Sequence, residues 1–239
     1  MEPMIAATPA QPDQAGHRAI APAWHTVVVL LVLFGVSALG ARQQGLPSIG
    51  HGHVAGYLTV IVFEWLLTAF IWFGIRLRGM SLRELIGGSW PSVRAVLRDL
   101  GIAVLYLIAA NLVLAGLGYL LKLTPTPGVR SLFPNGPIED VLWVMLSLTG
   151  GICEEIFFRG YLQRQFAALT KSTAVGLILQ GVVFGASHGY QGWKFMCNIA
   201  VYGCLFGLLA YWRRSLRPGM IAHVVQDTIG GLLGGHFLK

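Results

Sequence analysis

Charge is what this sequence has least of. Only 11% of its 239 residues are Asp, Glu, Lys or Arg, while 55% are hydrophobic; a water-soluble domain carries roughly 25% charged residues. An ordinary soluble domain of this length is therefore excluded, and a polytopic membrane protein is expected. Cysteine is scarce as well. Cys153, Cys197 and Cys204 lie in or beside apolar stretches with no CxxC or paired spacing, so they read as packing residues, with no disulfide framework. No HExxH is present, which removes the common zinc-protease helix. Ser187 is the only plausible serine nucleophile beside a histidine, and on a helix His188 points about 100° away from it. No internal repeat is evident, which weakens an inverted-repeat transporter. The net charge of +7 is not a nucleic-acid footprint, because Lys and Arg flank apolar runs and form no basic stripe interleaved with aromatics. Anionic membrane lipid is the expected counter-charge, and no nucleic-acid partner is expected.

What remains is a series of apolar runs of membrane-crossing length. They predict an all-α fold, a polytopic transmembrane bundle of about seven spans. Residues 1–22, rich in Ala, Pro and Gln, make a poor signal peptide and read as a disordered cytoplasmic tail; 23–239 read as a single transmembrane domain. The expected spans are Trp24 to Ala41, Val54 to Ile75, about Leu100 to Leu121, one starting near Val141, Thr173 to Tyr190, Phe195 to Trp212 and Gly219 to Phe237. Alternating them across a membrane puts 12 of the 17 Lys and Arg on one side, leaving Arg42, Lys122, Arg130, Lys194 and Lys239 on the other. The positive-inside rule then predicts a cytoplasmic N-terminus and a cytoplasmic end to span four. The 31 glycines fall largely within spans, as expected where helices approach through small residues. His51-Gly52-His53, in a connector with no third ligand nearby, is not read as a metal site.

Against this background Glu154, Glu155 and Arg159 stand out in the second half of span four. A charged carboxylate at the centre of a membrane helix costs about 2.5 to 3.5 kcal/mol on insertion scales, so an adjacent pair needs compensation. Glu155 and Arg159, four residues apart with the acid first, are predicted to form a structural ion pair. Glu154, turned by about 100°, is left without that partner. Glu64, in mid-span two, either faces a polar cavity or pairs with a base inside the bundle. His188 ends an apolar run, and His223 and Asp227 share one face of the last span. If Glu154, His188, His223 and Asp227 converge, carboxylate and imidazole together suit activation of water, by general base catalysis or on a metal.

The ordered motifs Glu154-Glu155-x-x-x-Arg159 followed by Gly-Tyr-Leu, Phe184-x-x-x-His188 and His223-x-x-x-Asp227 resemble those of the CPBP family, the CAAX-protease and bacteriocin-processing intramembrane proteases, also called Abi. The resemblance covers about 141–235. It implies an intramembrane metalloendopeptidase in which Glu154 and His188 activate the attacking water while His223 and Asp227 stabilise the oxyanion. The substrate it implies is a membrane-associated, CAAX-type prenylated protein or a peptide. A Zn2+ ion at Glu154, His188 and His223 is carried as a possibility, since Glu and His are suitable ligands. Position 227 is commonly Asn in prenyl-protein-processing members; an Asp there can donate only when protonated, and the alternative is that an ionised Asp227 orients His223, the reading favoured here. A location in the bacterial cytoplasmic membrane is expected. The competing readings are a non-proteolytic scaffold or bacteriocin self-immunity protein, and, more weakly, a proton-coupled transporter using Glu64 and Glu154. One tension is apparent: counted from Thr173, His188 lies about 22 Å along its helix, too deep to meet a Glu154 near the cytoplasmic end unless span five starts later or breaks near Gly181 or Gly185.

Overall fold

The computed structural model describes residues 18–43, 53–125 and 127–237, and all regular structure among them is helical. In chain order the helices are α1 (Ala23–Gln43), α2 (Val54–Arg76), α3 (Leu82–Ile86), α4 (Val93–Leu120), α5 (Pro127–Arg130), α6 (Pro137–Glu154), a π-helical segment (Glu155–Leu162), α7 (Gln163–Thr170), α8 (Thr173–Ser187), α9 (Trp193–Arg213) and α10 (Arg217–Phe237). Five of the described helices are long and apolar enough to cross a membrane: α1, α2, α4, α9, and the continuous rod made by α6, the π segment and α7. The shorter apolar α8 and the 21-residue α10 pack with them, so the expected count of about seven spans is approximate. The protein is an all-helical integral membrane protein.

Local sequence sets the ends of these helices. Ser81 caps the short α3 in a capping box with Glu84, and Gly87 ends it in the left-handed region at φ 93°. Ser92 and Ser172 accept from Ala95 N and Val175 N to start α4 and α8. Pro137 starts α6, where its missing N–H is no loss.

The loops gather at two opposite ends. At one, Arg164 donates to Leu85 O, Leu216 N and Ser215 Oγ donate to Ile86 O, and buried Asp99 draws in Arg98, Arg213 and Arg217. At the other, His53 donates to Glu139, Tyr57 Oη donates to Leu132 O, and His236 lies 3.4 Å from Asp140. The basic segments that alternation grouped on one side thus do meet at one end. The expected tail boundary at residue 22 falls inside packed chain: Ile20 and Ala21 are buried, and both of their N–H groups donate to Gln165 Oε1. His51 lies outside the described residues; His53 belongs to the helix-tying contact with Glu139.

The tension over depth disappears because the fourth span does not end near Glu154. It runs on through the π segment to Thr170, so Glu154 lies sixteen residues before that end of the rod, and His188 lies fifteen beyond Thr173. At about 1.5 Å per residue both sit roughly 22 to 24 Å from the turn that joins α7 to α8. Neither predicted break in α8 occurs. Gly181 and Gly185 instead let α9 approach: a Cβ on either would run into Cys204, Ala200 or the Met196 carbonyl. The hairpin of α7 and α8 therefore brings the acid and the histidine to matched depth.

Candidate active site

The acidic pair sits where the rod changes from α to π geometry, with Glu154 the last residue of α6 and Glu155 the first of the wider turn. Single π turns are local distortions that recur at functional sites. Here the segment is wholly buried from Glu155 to Leu162. Arg159 Nη1 lies 3.0 Å from Glu155 Oε1, with both side chains fully buried, which matches the spacing argument. The guanidinium faces the Phe184, Phe206 and Phe158 rings, at 4.3, 4.9 and 5.8 Å from their centroids. Among the described residues nothing accepts a hydrogen bond from its Nε or Nη2. The aromatic faces take that place.

Glu155 has a second role that sequence reasoning did not reach. Its Oε1 accepts from His223 Nδ1 at 3.1 Å, so the buried ion pair extends to the imidazole of α10. A protonated Nδ1 in a neutral ring leaves Nε2 with its lone pair. Nε2 points to the opposite side, 3.5 Å from both Glu154 Oε2 and Asp227 Oδ2. Glu155, not Asp227, therefore makes the orienting contact to Nδ1, and Asp227 stands with Glu154 on the reactive side. The only signal for this was the adjacency of the two acids. Nothing in the sequence said that α10 would pack with His223 over Glu155.

Exposure rises steadily across these groups, from 0% for the Glu155 side chain and 3% for His223 to 18% for Glu154 and 39% for Asp227. The cluster has a dry base and an accessible mouth. His188, the residue that caps α8, donates from Nδ1 to Phe184 O at 2.8 Å, which likewise fixes the tautomer and leaves Nε2 free to accept. Its ring lies 4.9 Å from that of Phe184, which also meets Phe158, Arg159 and His223. The His188 ring also lies 5.9 Å from that of Tyr190.

Glu64 joins the same cluster. A Cβ added to Gly150 would lie 3.9 Å from Asp227 Oδ2 and 3.9 Å from both Glu64 oxygens, so α2 and α10 present carboxylates to one glycine of α6. Glu64 is buried, its Oε2 has no hydrogen-bond partner, and no basic side chain among the described residues pairs with it. Of its two predicted settings, the polar cluster is the one found. One residue further along α6, Gly151 has no room for a side chain: a Cβ would strike Val224 next to His223. The close seating of α10 on α6 is what brings the imidazole to the acids.

For a metal, the donor chemistry is suitable and the arrangement is not. Both histidines present a free Nε2 with Nδ1 held from behind. Yet among the described residues no three His, Cys, Asp or Glu side chains are grouped so as to hold a metal ion, and a Zn2+ ion shared by Glu154, His188 and His223 would need them drawn closer together.

Fold and site together define a polytopic membrane protein with an acid and imidazole cluster inside its helix bundle. Residues 138–229, which include Glu154, His188, His223 and Asp227, match the Rce1-like family, described as type II CAAX prenyl endopeptidase Rce1-like. The matched region carries all three of the motifs that resemble the CPBP, or CAAX protease, family, and it spans about two fifths of the chain. No curated protein and no solved structure matches the chain.

Proposed function

We propose that the protein is an intramembrane endopeptidase that hydrolyses a peptide bond of a membrane-associated protein or peptide, with Glu154 and His188 activating water. The observation that carries this reading is the orientation of the two imidazoles. Each gives its Nδ1 proton to a fixed acceptor, Phe184 O or Glu155, which leaves Nε2 as the outward nitrogen, and that of His223 lies 3.5 Å from both Glu154 and Asp227. A packing role for these groups would not need both rings held in that tautomer.

In the proposed reaction Glu154 takes a proton from water as the oxygen attacks the scissile carbonyl, and His188 Nε2 supports that water. The tetrahedral oxyanion lies toward His223 Nε2 and Asp227, which stabilise it when they carry protons. Collapse passes the proton held by Glu154 to the leaving amine, and the C–N bond breaks. Atoms and charge balance with one water consumed. The family match supports a CAAX-type substrate, and a prenylated C-terminal peptide is the first substrate to try.

Glu154→Gln keeps the size and polarity of the side chain but cannot accept the proton. The variant is expected to insert and fold like the parent and to lose cleavage of a prenylated reporter peptide by at least about 100-fold, the lower range for general base catalysis. Parental turnover by the purified variant would refute the assignment. Loss of thermal stability with no change in any biological effect would favour the scaffold reading. Chelator treatment decides the metal question separately: activity lost and regained only on adding Zn2+ would mean that the three ligands close up when loaded.

A further inference from the structure

At the arginine-rich end a cavity of about 660 Å³ opens between the N-terminal segment, the α2–α3 turn, α7 and the end of α9, and reaches inward as far as Arg159. Its lining includes Arg18, Arg78, Arg159, Arg164 and Arg214, with Glu84 as its sole acid. Glu84 is committed elsewhere, since its Oε2 accepts from both the N–H and the hydroxyl of Ser81. Those bonds hold its carboxyl below the usual range, so it stays ionised but turned to its own helix cap. Arg159 is balanced by Glu155. The other four arginines have no carboxylate within ion-pair distance among the described residues.

This is not the habit of the whole end. A few residues away Arg98, Arg213 and Arg217 converge on Asp99, which also accepts from Trp90 Nε1. One arginine group is thus neutralised from within, and the group around the cavity is not. One side chain and one backbone among its members are held in place: the Arg164 guanidinium donates to Leu85 O, and the Arg214 main chain ends α9 at φ 49° with its N–H on Tyr211 O. Pre-positioned guanidinium forks suit the paired oxygens of phosphate. Met80, Ala210 and the largely exposed Tyr211 form an apolar flank beside them. Exposed arginines beside apolar surface on one cavity wall match a ligand with an anionic head and acyl chains.

We infer that this cavity binds the phosphodiester headgroup of an anionic phospholipid. A ligand that binds only the folded bundle raises its unfolding temperature. The test follows the purified full chain in zwitterionic detergent by thermal unfolding, titrated with short-chain phosphatidylglycerol, with short-chain phosphatidylcholine, and with inorganic phosphate. Phosphatidylglycerol is expected to raise the transition by several degrees and phosphatidylcholine by less than one. In the variant Arg18→Gln, Arg78→Gln, Arg214→Gln, half-saturation should need at least ten times more phosphatidylglycerol, and Arg76→Gln, Arg83→Gln, Arg94→Gln should respond like the parent. Arg164 is left intact because it ties α7 to α3.

An equal shift in the cavity variant would overturn the proposal, as would the same loss in the variant altered outside the cavity, which would mean a diffuse surface charge effect. A full shift with inorganic phosphate alone would assign the site to a free anion and overturn the lipid headgroup. Should the cavity variant fail to fold, Arg78→Gln alone, at an exposed turn, still has to weaken the phosphatidylglycerol response.

Discussion

Removing Arg159 probes the deepest part of the site. Among the described residues its guanidinium is the only full cation within ion-pair distance of Glu155, both side chains are fully buried, and three aromatic rings fill the remaining space. Arg159→Ala leaves Glu155 with His223 as its only polar partner there and opens a void among the rings. Breaking one side of a buried pair costs about 3 to 5 kcal/mol, and a desolvated cation over an aromatic face adds up to about 2 kcal/mol. For a chain of this length each kcal/mol moves the transition by roughly 2 to 4 °C, so a drop of about 10 °C in thermal unfolding in detergent is expected. Glu155→Gln with Arg159→Gln removes both charges together and should recover at least half of that loss. Activity should not follow. The amide oxygen that Glu155→Gln introduces can still accept from His223 Nδ1, but it no longer opposes a developing imidazolium charge, so turnover should stay at least tenfold down in the stable double variant. A double variant as unstable as the sum of its singles would refute the pairing, and one fully restored in both stability and turnover would refute the link to His223.

Asp227→Asn is expected to keep at least a third of parental activity, because Glu155 already fixes the His223 tautomer, while Asp227→Ala should lose at least tenfold; a collapse in the Asn variant would return the orienting role to Asp227. Glu64→Gln should leave the unfolding temperature within about 3 °C of the parent, since no partner is lost, yet narrow or shift the pH–activity profile by removing one titrating group from the cluster; an unchanged profile would make Glu64 a bystander. Gly151→Ala forces α10 away from α6 at Val224, and overpacking of this kind costs about 1 to 3 kcal/mol. Its turnover should fall further than its stability does, and the result to watch for is a variant with parental kcat, which would mean that His223 need not sit so close.

The all-helical membrane bundle was legible because apolar length and arginine placement are one-dimensional signals. Each depends on neighbours along the chain, and the loops they grouped do meet around Arg164, Leu85, Ile86 and Asp99. The pairing of Glu155 with Arg159 was legible for the same reason, being a contact within one helix. What the sequence did not show was where the fourth span ends. Arg159 and Arg164 were counted on the arginine-rich side of the membrane, and both lie within the 34-residue rod that runs from Pro137 to Thr170. Arg159 is neutralised inside the protein, and Arg164 reaches the end through its long side chain.

The site itself is a contact between distant segments, and the sequence could supply its members but not their partners. Which acid meets which nitrogen of His223 depends on the rotation of α10 about its axis, and that rotation is set by small residues. Gly151 lets Val224 sit against α6, and Gly219 leaves space for Glu155, whose Oε2 would lie 2.9 Å from a Cβ there. With those two positions open, Nδ1 falls to the buried acid and Nε2 to the exposed ones. The outcome makes chemical sense of having two adjacent carboxylates. One is sealed among Arg159, Phe184 and Phe206, where it can hold an imidazole in place; the other, one residue earlier and on a different face, stays near water, where it can take a proton. A single glutamate could not do both, because the burial that fixes the ring would also exclude the water to be activated.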